Sequence, residues 1–205
     1  MKKKQFESIC RNVLPNLPGF ACKGWLLYAR PTTHILWGFC CDSSSFDPSI
    51  FTVTVFVLPL YVPTAHLYFN YGHRLRDNRG CEKWWNIEEP DLALKLLDCI
   101  QREGLPFLER VQEPSQLISL VERLPGNTNP HSLEAIAYSL AITDNYACAQ
   151  VALDRLLKVL DVNIGWQAEM MERATQFAEV LTVDPQAAKG LLVELEQTTV
   201  KNLGL

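Results

Sequence analysis

The residues best suited to chemistry in this sequence are three closely spaced arginines followed by two adjacent tryptophans: His73-Arg74-Leu75-Arg76-Asp77-Asn78-Arg79, then Lys83-Trp84-Trp85. A guanidinium grips a carboxylate or a phosphate through two parallel N–H donors, and it also stacks on aromatic faces. Arg74, Arg76, Arg79 and Trp84 therefore form the candidate ligand- or partner-binding set, a planar and positively charged surface. The competing reading is structural: the arginines pair with Asp77, Glu82 and the acidic second half, and one tryptophan enters the core. Exposed pairs of that kind contribute about 1 kcal/mol or less each.

Other chemistries find no matching residues. His34, His66, His73 and His131 have no three- or four-residue spacing to one another, and no Cys-x-x-Cys occurs, so neither a metal nor a cofactor is expected. Cys40 and Cys41 are neighbours in a strand-like run and point to opposite faces. Cys81, in a polar turn, is the thiol expected to be exposed. There is no Gly-rich phosphate loop, no Gly-x-Ser-x-Gly and no His-Glu-x-x-His. Ser43, Ser44 and Ser45 lie among Asp42, Asp47 and Pro48, where serines turn the chain, and Glu88-Glu89 precede a helix start, where acids offset the helix dipole. No catalytic residue is assigned.

Charge narrows the partners. A net charge of −4 and a pI near 5.6 exclude a general nucleic-acid binder or an anionic-membrane binder, which need a large positive field. Lys2, Lys3 and Lys4 are not followed by an apolar run, and Ile50 to Val62 is shorter than the roughly 20 residues that cross a bilayer, so neither export nor a membrane span is expected. The expected place is the reducing cytoplasm, where the seven cysteines stay mostly as thiols. With 48% hydrophobic and 20% charged residues the chain can bury a core and should fold.

The elements that would position the arginines change character near residue 90. Residues 1 to 89 carry +3 (10 basic, 7 acidic) and strand-like apolar runs; residues 90 to 205 carry −7 (9 basic, 16 acidic) and apolar residues every three or four positions. Phe6, Ile9, Cys10, Val13 and Leu14 predict an amphipathic helix over Lys3 to Leu14. Strands are predicted at Gly24 to Arg30, Ile35 to Cys41, Ile50 to Leu60 and Ala65 to Leu75, the third covered on both faces, joined by short links as an antiparallel meander. Pro90, Pro114, Pro130 and Pro185 mark first helical residues, with Asn129 and Asp184 as caps. The turn-rich stretch Pro125 to Pro130 predicts a boundary between an α+β domain, 1 to 125, and a helical-hairpin bundle, 131 to 205, packed on the first. Leu133 to Leu156 is spaced like one tetratricopeptide unit, but a solenoid needs three or more, so a plain helical hairpin is the preferred reading.

Five features recur in the order of a known family: the Lys-rich first helix, Gly19-Phe20 with Lys23-Gly24, Trp84-Trp85 with Ile87 before a helix, Gly104 through Glu109, and the short apolar helix Leu117 to Leu124. Through them residues 1 to 124 resemble an uncharacterised bacterial family, the 4304-type domain of unknown function. The resemblance implies an α+β fold with an antiparallel sheet and flanking helices, and implies no activity. The expected fold is thus α+β: an antiparallel sheet of about four strands with a leading helix and flanking helices, followed by an all-helical C-terminal tail. The expected function is a non-enzymatic binding or protein-interaction module with a protein partner. Two alternatives stay open: a small-molecule or anion-binding protein centred on Arg74, Arg76, Arg79 and Trp84, and an enzyme whose site is assembled only in three dimensions.

Overall fold

Residues 50 to 58 alternate Phe51, Val53, Val55 and Val57 with Thr52, Thr54, Phe56 and Leu58, and β-branched and aromatic residues pack well on a pleated surface. In the computed structural model, which describes residues 1–205, this run is the longest strand of a six-stranded sheet and is covered on both faces. The chain divides into two compact units, one of Met1–Leu58 with Tyr68–Val111 and one of Pro59–Leu67 with Gln112–Leu205.

The first unit is α+β. Helix α1 (Lys3–Val13) buries Phe6, Cys10 and Val13, as its apolar stripe predicts. The sheet follows as β1 (Phe20–Lys23), β2 (Leu26–Ala29), β3 (Ile35–Ser43), β4 (Ile50–Pro59), β5 (Gly72–Arg74) and β6 (Trp85–Asn86), with β1 to β5 adjacent in chain order. The β1–β2, β2–β3, β4–β5 and β4–β6 pairs are antiparallel. One edge of β4 carries two short strands end to end: β5 pairs Arg74 with Thr54 and Gly72 with Phe56, and β6 pairs Trp85 with Phe51. Helix α2 (Leu92–Cys99) continues through a π-helical turn, Ile100–Gly104, into α3 (Leu105–Leu108).

The second unit is helical, with α4 (Pro114–Arg123), α5 (Pro130–Ile142), α6 (Tyr146–Val159), α7 (Gly165–Val183) and α8 (Pro185–Leu203). Each helix packs on the next, and α8 also returns to α5. Proline occupies the first turn of α4, α5 and α8, where its missing N–H costs nothing. Asn129 caps α5 by accepting from Ser132 N at 2.9 Å, and Asp184 caps α8 by accepting from Gln186 N and Ala187 N at 3.0 Å. No helix is long and apolar enough to cross a membrane.

Several expectations are corrected. The sheet has six strands rather than about four, because Phe20–Lys23 pairs with β2 and the two-residue β6 fills the free end of β4. Of the strand expected over 65 to 75, only Gly72–Arg74 forms. The first part of that run lies in Pro59–Leu67, which belongs to the second unit, where Tyr61 and Ser139 hydroxyls lie 2.7 Å apart. Pro90 precedes α2 rather than starting it, since Asp91 adopts the left-handed conformation at φ 56°. The division between units falls after Val111, while the 125–130 turn joins α4 to α5 inside the second unit; α4 packs on α5, so the turn formers there close a helical hairpin. Helix α5, read as one apolar face, is buried on nearly all sides because α4, α6 and α8 surround it.

All seven cysteines are free thiols, and two of them, Cys81 and Cys148, are exposed. Burial pushes the Cys40 and Cys99 thiols up to about 11, which leaves little thiolate near neutrality. In the native protein at pH 7.5, Cys81 and Cys148 are therefore expected to react with a maleimide at least tenfold faster than Cys40 and Cys99. Site-resolved mass spectrometry reads the order, and a Cys99 that reacts as fast as Cys81 contradicts it.

Candidate functional site

The arginine-rich segment is held in place through its main chain. Asp77 closes the turn after β5 by accepting from Arg79 N at 2.8 Å and Cys81 N at 3.0 Å, with Gly80 at φ 80°. Those two donors hold the Asp77 carboxyl below the usual carboxylate range. Upstream, the Glu103 carboxylate meets His73 Nε2 at 3.1 Å and also accepts the Arg76 N–H. The Arg76 carbonyl in turn accepts from Cys99 Sγ and Arg102 Nη2, both at 3.4 Å. Glu103 thus clamps β5 to the π-helical turn. That turn approaches the sheet closely because its last residue is Gly104: a Cβ there would lie 2.3 Å from the Phe39 ring.

The four residues singled out in the sequence are distributed over different surroundings. Arg74 lies over the Trp84 ring at 5.6 Å, donates to Glu82 Oε2 at 2.9 Å and is 3.8 Å from Asp42. Arg74 and Trp84 are therefore together, in the ion-paired arrangement of the structural reading. The Arg76 side chain is exposed, and this residue is fixed by its backbone. Arg79 faces a different space, a cleft of about 580 Å3.

Four cations and three carboxylates border that cleft: Arg79 and Lys83 from the β5–β6 connection, Lys95 and Arg102 opposite, with Asp77, Glu89 and Asp98. Lys95 Nζ is 2.8 Å from Glu89 Oε1, and Arg102 Nε is 3.7 Å from Asp98 Oδ2. The Lys95 ammonium holds the Glu89 carboxyl below its ordinary value. Arg79 and Lys83 make no side-chain hydrogen bond and no close ion pair; they act on Asp77, and Lys83 on Glu89, only through longer-range attraction. Trp85, stacked on Phe51 at 5.8 Å between centroids, is buried beneath the cleft, and the exposed Leu94 supplies the apolar wall. Such a cleft can receive a carboxylate or phosphate on Arg79 and Lys83 and an aliphatic group beside Leu94.

Trp85, Lys95 and Arg102 were not selected in the sequence. Lys95, Asp98 and Arg102 recur at three- and four-residue steps, a signal that they share one helix face with Cys99. Sequence gave no sign that β6 would set this face opposite Arg79. A second set of residues was missed altogether: Glu134, on α5, is buried and receives Arg173 Nε at 2.9 Å and Nη2 at 2.6 Å on its Oε1. Burial raises the Glu134 carboxyl, and Arg173 offsets part of that rise. The one acid of α5, between Leu133 and Ala135, is the signal that could have marked it. Histidine, cysteine and carboxylate side chains nowhere converge in threes as metal ligands. No family model, curated protein or solved structure matches this chain.

Proposed function

We propose that this protein is a binding module whose first unit captures an anionic group, a carboxylate or a phosphate, in the cleft between the β5–β6 connection and α2. The observation that carries this reading is the pair Arg79 and Lys83, two cations without close ion-pair partners at the edge of a cleft whose other cations are compensated. Arginine supplies the two-pronged grip and lysine a mobile point charge, and Leu94 gives the attached body an apolar wall. Calorimetric titration with pyrophosphate and citrate tests it. Saturable binding is expected for at least one, weakened tenfold or more in an Arg79→Ala/Lys83→Ala variant with unchanged circular dichroism, and weakened as salt rises. Equal binding by the variant overturns the assignment.

A protein partner, the reading preferred from sequence, has separate support in the second unit. Val159, Val162, Ile164 and Trp166, at and beside the α6–α7 turn, are each 40% exposed or more, and clustered exposed apolar side chains are a feature of interaction surfaces. The cytoplasm and the 4304-type family remain part of the proposal, and neither supplies an activity.

A further inference from the structure

We infer that the second unit contains a separate binding site, seated among α5, α7 and α8, for a small uncharged molecule with an apolar body and one carbonyl oxygen. Each helix contributes side chains one turn apart: Glu134 and Tyr138 from α5, Arg173 and Phe177 from α7, Leu191 and Leu195 from α8. Except for Glu134, which lies behind Arg173, these residues border a cavity of about 250 Å3. At about 30 Å3 per water, that volume holds several waters or one small organic molecule.

The chemistry of the walls selects the ligand. Phe177 and Tyr138 are buried, with ring centroids 4.7 Å apart, and with the leucines they provide an apolar surface for a ring or short alkyl body. The Tyr138 hydroxyl is buried beside the Arg173 guanidinium without a hydrogen bond of good geometry. A buried hydroxyl left in that state costs about 1–3 kcal/mol, and a ligand oxygen that accepts from it removes the cost. Arg173 commits Nε and Nη2 to Glu134 and keeps N–H donors that Glu134 does not use. A carbonyl oxygen at the Arg173 end of the cavity meets a guanidinium N–H, and a small shift of the side chains over the Tyr138 hydroxyl, which is closed to water, brings the second donor into reach.

Charge excludes the ionised relatives of such a molecule. The Glu134 carboxylate already neutralises Arg173, and Glu194 at the rim adds a further negative charge. A carboxylate would bring surplus negative charge into a site of low dielectric, and an ammonium would face the guanidinium. A neutral amide carries neither cost. The site is independent of the anion cleft, since none of its residues lies in the first unit.

Benzamide is a suitable probe and benzoate its charged counterpart, compared by amide-resonance titration of the full chain. Benzamide is expected to shift the Tyr138, Phe177 and Leu195 resonances saturably with a millimolar dissociation constant, the range open to a ligand of about nine non-hydrogen atoms. Benzoate should bind at least tenfold more weakly. Tyr138→Phe, which keeps the ring, should weaken benzamide about fivefold. Leu191→Trp, at a position 37% exposed on the rim, should abolish the shifts by covering the mouth. The inference is overturned by shifts that do not saturate, which would leave the cavity to water, by benzoate binding as tightly as benzamide, or by unchanged benzamide binding in both variants.

Discussion

Arg173→Met should lower the stability of the second unit by about 3–5 kcal/mol at pH 7.5, because it leaves the Glu134 carboxylate buried and unpaired. The pair itself contributes little net stability, since taking both charges out of water costs nearly what their attraction returns. Removing one partner is the damaging change. The loss should also depend on pH in a definite direction. Burial raises the Glu134 carboxyl in the folded protein, so it holds its proton more readily folded than unfolded, and that contribution favours the fold at low pH and disappears as pH rises through the raised value. Without Arg173 the offsetting charge and hydrogen bonds vanish and the carboxyl rises further. The variant should therefore gain more on acidification than the unaltered protein, and the deficit at pH 5 should be smaller than at pH 7.5. Native-state hydrogen exchange of α5 and α7 amides measures both, with Glu134→Gln/Arg173→Met expected to recover much of the loss at pH 7.5. A loss below about 1 kcal/mol, or one independent of pH, would show that water reaches the carboxylate.

Gly72→Ala should destabilise the first unit by about 3 kcal/mol, the upper part of the range for overpacked sites. A Cβ at Gly72 would sit 2.3 Å from the Val55 carbonyl oxygen and 2.8 Å from Phe56 Cβ. Both belong to the central strand β4, so relief requires the β4–β5 pair to separate, and with it the segment that carries Arg74, Arg76 and Arg79. Gly80→Ala is the natural comparison. It has open space around it and pays only for its left-handed backbone at φ 80°, about 1 kcal/mol. Urea unfolding followed by fluorescence, to which the buried Trp85 contributes, separates the two. Equal losses would mean that β5 relaxes freely and that backbone conformation, rather than space, decides both.

What the sequence determined by itself is local. The apolar stripe of Lys3–Val13, the two-faced burial of β4, the prolines that open α4, α5 and α8, and the caps Asn129 and Asp184 follow from side-chain period and backbone chemistry within a few residues, so they were legible without the fold. The sheet's antiparallel character followed from short links for the same reason. The extra strands and the unit boundary did not, because a strand as short as Trp85–Asn86 is stabilised by the open edge of β4 rather than by its own residues, and residues 59–67 are claimed by helices distant in the chain. The candidate site divides along the same line. Sequence located the arginines, but sorting Arg74 onto Trp84 and its acids from Arg79 in an open cleft depends on which way the turn closed by Asp77 directs each side chain. Likewise, Glu134 and Arg173 lie 39 residues apart and become a pair only where two helices bring them within hydrogen-bonding distance. Period and propensity act over neighbours; charge pairing and cavities depend on distance in space, and tertiary packing alone sets that distance.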